Sequence, residues 1–406
     1  MKKIKLGIIR EEKTPHDKRV PFTPEQCAQI IKDYPNVELV VQPSEWRGFT
    51  QAEYEALGIR MQEDLGDCDI LMGIKEVPVD KLIAGKTYVF FSHTIKKQAH
   101  NRKLIKALIS KKIRMIDYEC LVDKNDNRII GFGRYAGIVG AYNGIMAYGL
   151  RYGLFSLKPA HLCHDKKEIF QELKNISLPN IKIIVTGGGR VANGACETMG
   201  AMNLRKVTPY EYLNYSFREP VYAQLHSEDY YAANDHSPYS SWDFHHHPES
   251  YGCTFSNPNS FASMTDLLVH CTFWDPRADI LFTKARMRDP DFRISVIADV
   301  TCDLNGSIPS TTKSSTIEDK FYGYDPMSEE IVEPFNPSSI SVMAVDNLPC
   351  ELPRDASDGF GKHMLERVVP SLLGDDKDGL IERATLVLDG KLMPRFDYLK
   401  DYIEGN

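Results

Sequence analysis

The stretch Ile181 to Ala195, IKIIVTGGGRVANGA, decides how the chain is read. A short run of β-branched residues ends in three glycines, and a segment of small, helix-compatible residues follows. Strand, tight turn and helix start come in the order of a dinucleotide-binding βαβ unit. Gly187 allows the turn, and Gly189 lets a pyrophosphate approach the backbone. Ala192 stands where the third glycine of the fingerprint lies. A helix N-terminus there offers free N–H groups and a positive dipole end to phosphates. Gly187, Gly188, Gly189, Arg190 and Val191 are therefore the candidate cofactor-binding residues. The same letters also fit an ordinary turn, and the apolar strand in front of them is what favours the nucleotide.

The rest of the chain is compatible with such a protein. Its 406 residues leave room for two or three domains. A hydrophobic content of 42% and a charged content of 26% allow real cores and exclude a disordered chain. A formal net charge of −7 argues against a general nucleic-acid binder. No stretch reaches the roughly 18 consecutive apolar residues of a membrane span. The start, MKKIKLGIIREE, is basic and apolar, but acids follow at once without a small-residue cleavage site. It reads as a first strand rather than a signal peptide. Nine dispersed cysteines without a C-x-x-C pair read as reduced, buried thiols of a cytoplasmic protein.

In the first third, apolar strand patterns alternate with helical ones. Ile4–Ile9, Val37–Val41, Cys68–Ile74, Tyr88–Phe91 and Ile113–Ile116 read as strands, and Pro24–Ile31 and Gln98–Ser110 as helices. This alternation predicts a parallel sheet covered on both faces, with ligands beyond the carboxyl ends of the strands. Four polar groups stand at those ends: Arg10 to Arg19, Lys75 with Glu76, Ser92 with His93, and Asp117 to Glu119. Gly131–Leu154 reads as a long helix whose glycines serve close packing. A short strand is expected around Leu204–Val207, and further strands at Leu267–Trp274, Ile294–Val300 and Ile340–Asp346. Asn214–Gly252 is aromatic, acidic and histidine-rich and reads as an irregular excursion. Adjacent His245, His246 and His247 point different ways, so no metal site is expected from them.

Several motifs in order then resemble one family. KRVPFTP, GIKEVP, FFSHTIK, IDYECLVD, GFGRYAGIVG, VTGGGRVANG, GSIPSTTKSSTIEDKFYGYD and VDNLPCELPRDAS look like the lysine-forming saccharopine dehydrogenases. The nearest likeness is to the lysine–ketoglutarate reductase portion of the bifunctional lysine-degrading enzyme. Alanine dehydrogenase and the transhydrogenase alpha subunit are similar at a greater distance. The likeness runs from about Lys5 to about Leu399, so the second half of the bifunctional enzyme is expected to be absent. It implies reversible reductive condensation of L-lysine and 2-oxoglutarate to saccharopine. Lys75 in K-E-x-P and His93 in S-H match the family's acid–base pair, and Glu76 and Glu119 match the acids that tune it. Arg19 matches the carboxylate-binding arginine. Lys13 and Arg128 carry over less directly, and Asp346 matches the aspartate of D-x-L-P near the cleft.

The NAD-using members carry an acid at the end of the second strand, about 20 residues past the first glycine. Here that place, near Val207 and Thr208, has none, while Arg205 and Lys206 just before it are cationic. The bifunctional-type reductases lack the acid too and share the following proline and Glu211. The resemblance therefore implies NADP, with Thr208 in the cofactor set. NAD stays open if Glu211 turns back to the ribose.

The expected fold is α/β, with two Rossmann-like domains, parallel sheets and an interdomain cleft. Residues 1–134 form the substrate side with a C-terminal return over 331–406, and 135–330 bind the dinucleotide. Small-molecule substrates are the expected partners, with no nucleic acid, membrane or metal, and self-association into a homo-oligomer is allowed. Alanine dehydrogenase activity is the nearest alternative, and a non-catalytic nucleotide sensor would have lost Lys75 or His93.

Overall fold

Alternation of apolar strands with amphipathic helices produces parallel sheets, because each crossover helix lays its apolar stripe on the sheet. The computed structural model describes residues 3–405. These fall into two compact units, one running to Phe132 and resuming at Pro353, the other Gly133–Leu352.

The first unit holds β1 (Ile4–Ile8), β2 (Val37–Val41), β3 (Arg60–Met61), β4 (Ile70–Met72), β5 (Thr87–Phe90) and β6 (Arg114–Asp117). The spatial order β6-β5-β4-β1-β2-β3 is parallel throughout. Ile8, Val40, Met72, Val89 and Ile116 are completely buried. Each contributes on the order of 1.5–3 kcal/mol by leaving water. The helices are α1 (Pro24–Asp33), α2 (Gln51–Ala56) and α3 (Arg102–Ser110). Thr23 caps α1 in a capping box with Gln26, and Pro24 supplies the first-turn φ.

The second unit opens with α4 (Gly133–Arg151) and α5 (Lys166–Lys174). Then come β7 (Lys182–Thr186), α6 (Arg190–Ala201), β8 (Arg205–Lys206), α7 (Pro209–Asn214) and β9 (Val221–Leu225). The histidine-rich stretch folds as a hairpin, β10 (Tyr231–Ala233) with β11 (Tyr251–Cys253), spanned by α8 (Ser241–His246). It is thus an ordered aromatic subdomain, with Tyr231, Tyr239, Phe244 and Tyr251 in mutual ring contact. The sheet is completed by β12 (Leu267–His270), β13 (Val296–Asp299), β14 (Phe321–Tyr324), β15 (Ile331–Val332) and β16 (Ile340–Met343). Its order is β15-β14-β16-β13-β12-β7-β9-β8, with β14 and β15 antiparallel. Helix α4 is buried on nearly every side. Its glycines admit α6 at backbone contact: a Cβ on Gly137 would lie 1.8 Å from the Val191 carbonyl oxygen.

Because β15 and β16 belong to the second sheet, the return to the first unit begins at Pro353 and not at residue 331. There α9 (Pro353–Arg367) packs on the first unit. Ser357 Oγ accepts the Val20 N–H at 2.9 Å, and Arg354 reaches Glu53 at 2.6 Å. β17 (Thr385–Leu388) then adds antiparallel to β6. No helix among the described residues is long and apolar enough to cross a membrane.

Candidate active site

The carboxyl ends of β1, β4, β5 and β6 carry the polar groups that the strand pattern singles out. Glu11, just past β1, clamps the turn after β4. Its Oε1 accepts the Ile74 N–H at 2.6 Å and its Oε2 the Lys75 N–H at 2.9 Å. Burial and the neighbouring Asp17 push the Glu11 carboxyl up to about 8, against these two amides and Arg19. Lys75 and Glu76 are thereby held at the strand end. With Glu11 and Tyr88 they border a cavity of about 240 Å³.

Glu76 gathers two of the predicted residues. Its Oε1 lies 2.5 Å from His93 Nδ1 and its Oε2 accepts from Lys13 Nζ at 2.8 Å. Burial works to raise this carboxyl, but the bonds to His93 and Lys13 outweigh it and hold it at about 2. Glu76 is therefore ionised, which makes Nδ1 the donor and leaves Nε2 as the ring's other nitrogen. His93 itself sits at φ 52, a left-handed backbone that costs a non-glycine residue of order 1–2 kcal/mol. The neighbours fix it: Phe91 stacks on its ring at 6.2 Å, and the preceding Ser92 donates from N–H and Oγ to Asp117. Burial raises Asp117 to about 6, against the Ser92 and Glu119 bonds.

The remaining residues fall differently. Asp117 Oδ1 accepts the Glu119 N–H at 2.8 Å, and Glu119 pairs with Arg128 at 2.8 Å and Lys96 at 3.5 Å. Arg19, expected to offer its fork to a carboxylate, makes a bidentate pair with buried Asp17 at 2.9 and 2.6 Å and lies 4.2 Å over the Phe132 ring. Asp346 lies in the second unit, exposed on the turn after β16. Sequence reading marked the segments holding Glu11, Asp17 and Asp117 but not their roles. The signal was that acids cluster after β1 and at the end of β6.

In the second unit the glycine turn has the expected form. Gly187 has φ +96, and Gly189 is the N-cap of α6, with no side-chain cap. A Cβ on Gly188 would come within 2.6 Å of the His226 ring, and one on Gly189 would meet open space. Thr186 Oγ accepts the Cys271 N–H at 3.0 Å and tethers the turn to β12. Gly187 to Val191 border an open cavity of about 460 Å³ together with His226, Ser227 and Glu228. These features fit a dinucleotide: a backbone cradle without side chains, free helix N–H groups and room beside them.

The expected second-strand end does not border that cavity. β8 is a two-residue edge strand paired only with the start of β9, Arg205 opposite Val221. β7 lies between β12 and, on the side of β8, β9, with Thr186 opposite Leu225. In the Rossmann order the ribose lies at the end of the first strand's neighbour. Here that place is His226 to Asp229, inside the stretch read as an irregular excursion. Thr208 instead caps α7: its N–H and Oγ donate to Glu211 Oε2 at 2.8 and 2.9 Å. No group of three metal-ligating side chains occurs among the described residues, and His246 stacks on Trp242.

Comparison with known proteins bears out the motif resemblance. Residues 7–139 match the family described as alanine dehydrogenase/PNT, N-terminal domain. Over 98% of its length the chain is 27% identical to the mitochondrial alpha-aminoadipic semialdehyde synthase of Mus musculus, and over 99% it is 26% identical to the Arabidopsis thaliana protein of that name. It spans 48% and 42% of those two proteins, about half their length. It is 22% identical to the saccharopine dehydrogenase [NAD(+), L-lysine-forming] of Schizosaccharomyces pombe, across 90% of this chain and 91% of that one. In fold it is similar to an L-alanine dehydrogenase, with TM-score 0.67 at 16% identity, covering 98% and 100% of the two chains. A transhydrogenase from Sinorhizobium meliloti follows with TM-score 0.57 at 14% identity, covering 96% and 98%.

Proposed function

We propose that this chain is a nicotinamide-dependent oxidoreductase that reversibly condenses L-lysine with 2-oxoglutarate and reduces the product to saccharopine. The observation that carries the reading is the Lys13–Glu76–His93 chain beside Lys75, at strand ends of a sheet whose sequence resembles saccharopine dehydrogenases. Similarity to proteins of that name over nine-tenths of both chains supports the substrate choice.

The chemistry asks for proton transfers at neutral pH. The side-chain amine of lysine attacks the 2-oxo carbon, loses a proton, and water leaves from the carbinolamine to give an imine. The glycine turn, Gly187 to Val191, would hold a nicotinamide dinucleotide, which when bound would supply the hydride for the imine carbon. The imine nitrogen gains the proton that completes a secondary amine. His93, with Nδ1–H committed to Glu76, presents Nε2 to take up and return protons. Lys75 is the second proton carrier, and the Glu11 clamp on its backbone N–H sets its position. Lys13 keeps Glu76 ionised, so that the carboxylate continues to orient the ring. Arg19 acts through Asp17 by fixing the loop after β1.

Mixing the protein with lysine, 2-oxoglutarate and reduced nicotinamide, watched at the nicotinamide absorbance, tests the proposal. Consumption that requires both substrates supports it. Oxidation with pyruvate and ammonia, and none with lysine and 2-oxoglutarate, makes the chain an alanine dehydrogenase instead.

A further inference from the structure

We infer that Glu228 is the ribose-reading acid of this chain and that it makes the protein select NAD(H) over the 2′-phosphorylated dinucleotide. The inference rests on the reading of the glycine turn as a dinucleotide site, and it reverses the NADP expectation drawn from Val207 and Thr208.

The strand order carries the argument. An acid at the end of the strand beside the first one accepts from the ribose 2′-OH and repels a 2′-phosphate. β12 flanks β7 on one side; on the other, towards β8, the strand is β9, and Glu228 lies in the turn Ser227–Asp229 directly after it. Its exposed carboxylate borders the same cavity as Gly187, Gly188 and Gly189.

The other nearby acids are committed. Asp229 Oδ2 accepts the His226 N–H at 2.7 Å, which closes the turn. Glu211 is spent on the Thr208 cap, and its backbone bond holds it below the usual carboxylate range. Glu228 makes no ion pair or hydrogen bond among the described residues, so a ribose hydroxyl displaces nothing to reach it. The cations that suggested a phosphate site also have partners. Arg205 pairs with Glu219 at 3.3 Å, and Lys206 donates to Gln224 Oε1 at 2.8 Å. Gln224 in turn donates to the Gly187 carbonyl oxygen at 2.9 Å, so Lys206 is tied to the scaffold of the turn. A 2′-phosphate would stand against Glu228 with like charge.

Binding of NADH and of NADPH to the full chain, each without substrates, is measured by calorimetry on the parent, Glu228→Gln and Glu211→Gln. Thermal melts confirm that each variant folds. A bond to a charged acceptor predicts that the parent binds NADH more tightly by roughly 10–100-fold. Glu228→Gln should shrink that ratio about tenfold or more, by weakening NADH and relieving NADPH. Glu211→Gln should leave the ratio as in the parent. A parent that prefers NADPH overturns the inference, as does an NADH preference that survives Glu228→Gln or is lost in Glu211→Gln. If neither dinucleotide binds, the inference fails together with the reading of the glycine turn. If the ratios behave as expected but lysine and 2-oxoglutarate are not turned over, Glu228 stands and only the substrate proposal fails.

Discussion

Replacing Glu76 by glutamine keeps the shape of the Lys13–Glu76–His93 chain and removes its charge. The carboxyl is held at about 2 against an ordinary 4.5. At about 1.4 kcal/mol per unit, that depression sets a ceiling of roughly 3.5 kcal/mol on what the ionised group adds to folding. Lys13 is 45% exposed, and water screening on that side reduces the figure to roughly 1–2 kcal/mol. The sign follows from the direction of the shift. A depressed carboxyl contributes fully above its unfolded value and loses the contribution as pH falls from 4.5 towards 2. Glu76→Gln should therefore be less stable than the parent by roughly 1–2 kcal/mol at pH 7, and less than half of that gap should remain at pH 3. Other carboxylates titrate alike in both proteins and cancel in the difference. Urea unfolding at pH 7, 4.5 and 3, with the two units fitted as separate transitions, reads the gap directly. A gap that stays constant or widens towards pH 3 refutes the reasoning.

Lys75→Met and His93→Gln should each lower turnover by roughly 10²–10⁴-fold while the dinucleotide affinity measured calorimetrically stays near the parent's; half the parental rate in either variant removes that residue from the proton path. Arg19→Ala should strip the guanidinium from buried Asp17 and cost roughly 3–5 kcal/mol. A lower thermal midpoint is the expected sign, and a raised KM for 2-oxoglutarate with unchanged stability would return Arg19 to direct substrate binding. Gly137→Ala puts a methyl 1.8 Å from the Val191 carbonyl oxygen, so α4 and α6 must part. A markedly lower melting temperature of the second unit is expected, and a melt equal to the parent's contradicts the backbone contact.

Features written in local sequence were legible. Thr23-Pro24-Glu25-Gln26 spells a helix start, and α1 begins there with the full capping box. The glycines of Gly131–Leu154 announced close packing: Gly133 and Gly137 face α6, while Gly140 and Gly144 lie against Val300 and Ala298. Lys75 and His93 stand out in sequence because each follows an apolar run whose end a parallel sheet gathers on one side. What joins them could not be picked. Glu76 is simply the residue after Lys75 in the chain, and its bridge to Lys13 and His93 exists only once β1, β4 and β5 are set in order. Arg19 shows the same limit from the other side. A buried arginine and a surface-facing one look alike in sequence, and the Asp17 pair two residues away reads as two solvated charges until the loop is buried.

The NADP expectation drawn from Val207 and Thr208 rests on an assumption about strand order. Counting about 20 residues from the first glycine to an acid assumes that the next strand in the chain is also the next strand in the sheet. In this chain β8 comes next in sequence but is two exposed residues at the sheet edge, and the Val221–Leu225 strand inserts between it and β7. The apolar run VYAQL was visible, yet it sat at the head of an aromatic, histidine-rich stretch whose composition outweighed five strand-like letters. Only the register of β7 against β9 puts the end of that run, with Glu228, beside the glycine turn. On the inference above, the charge that matters for a 2′-phosphate is the one after β9, and neither Val207 nor Thr208 borders the cavity at the glycine turn.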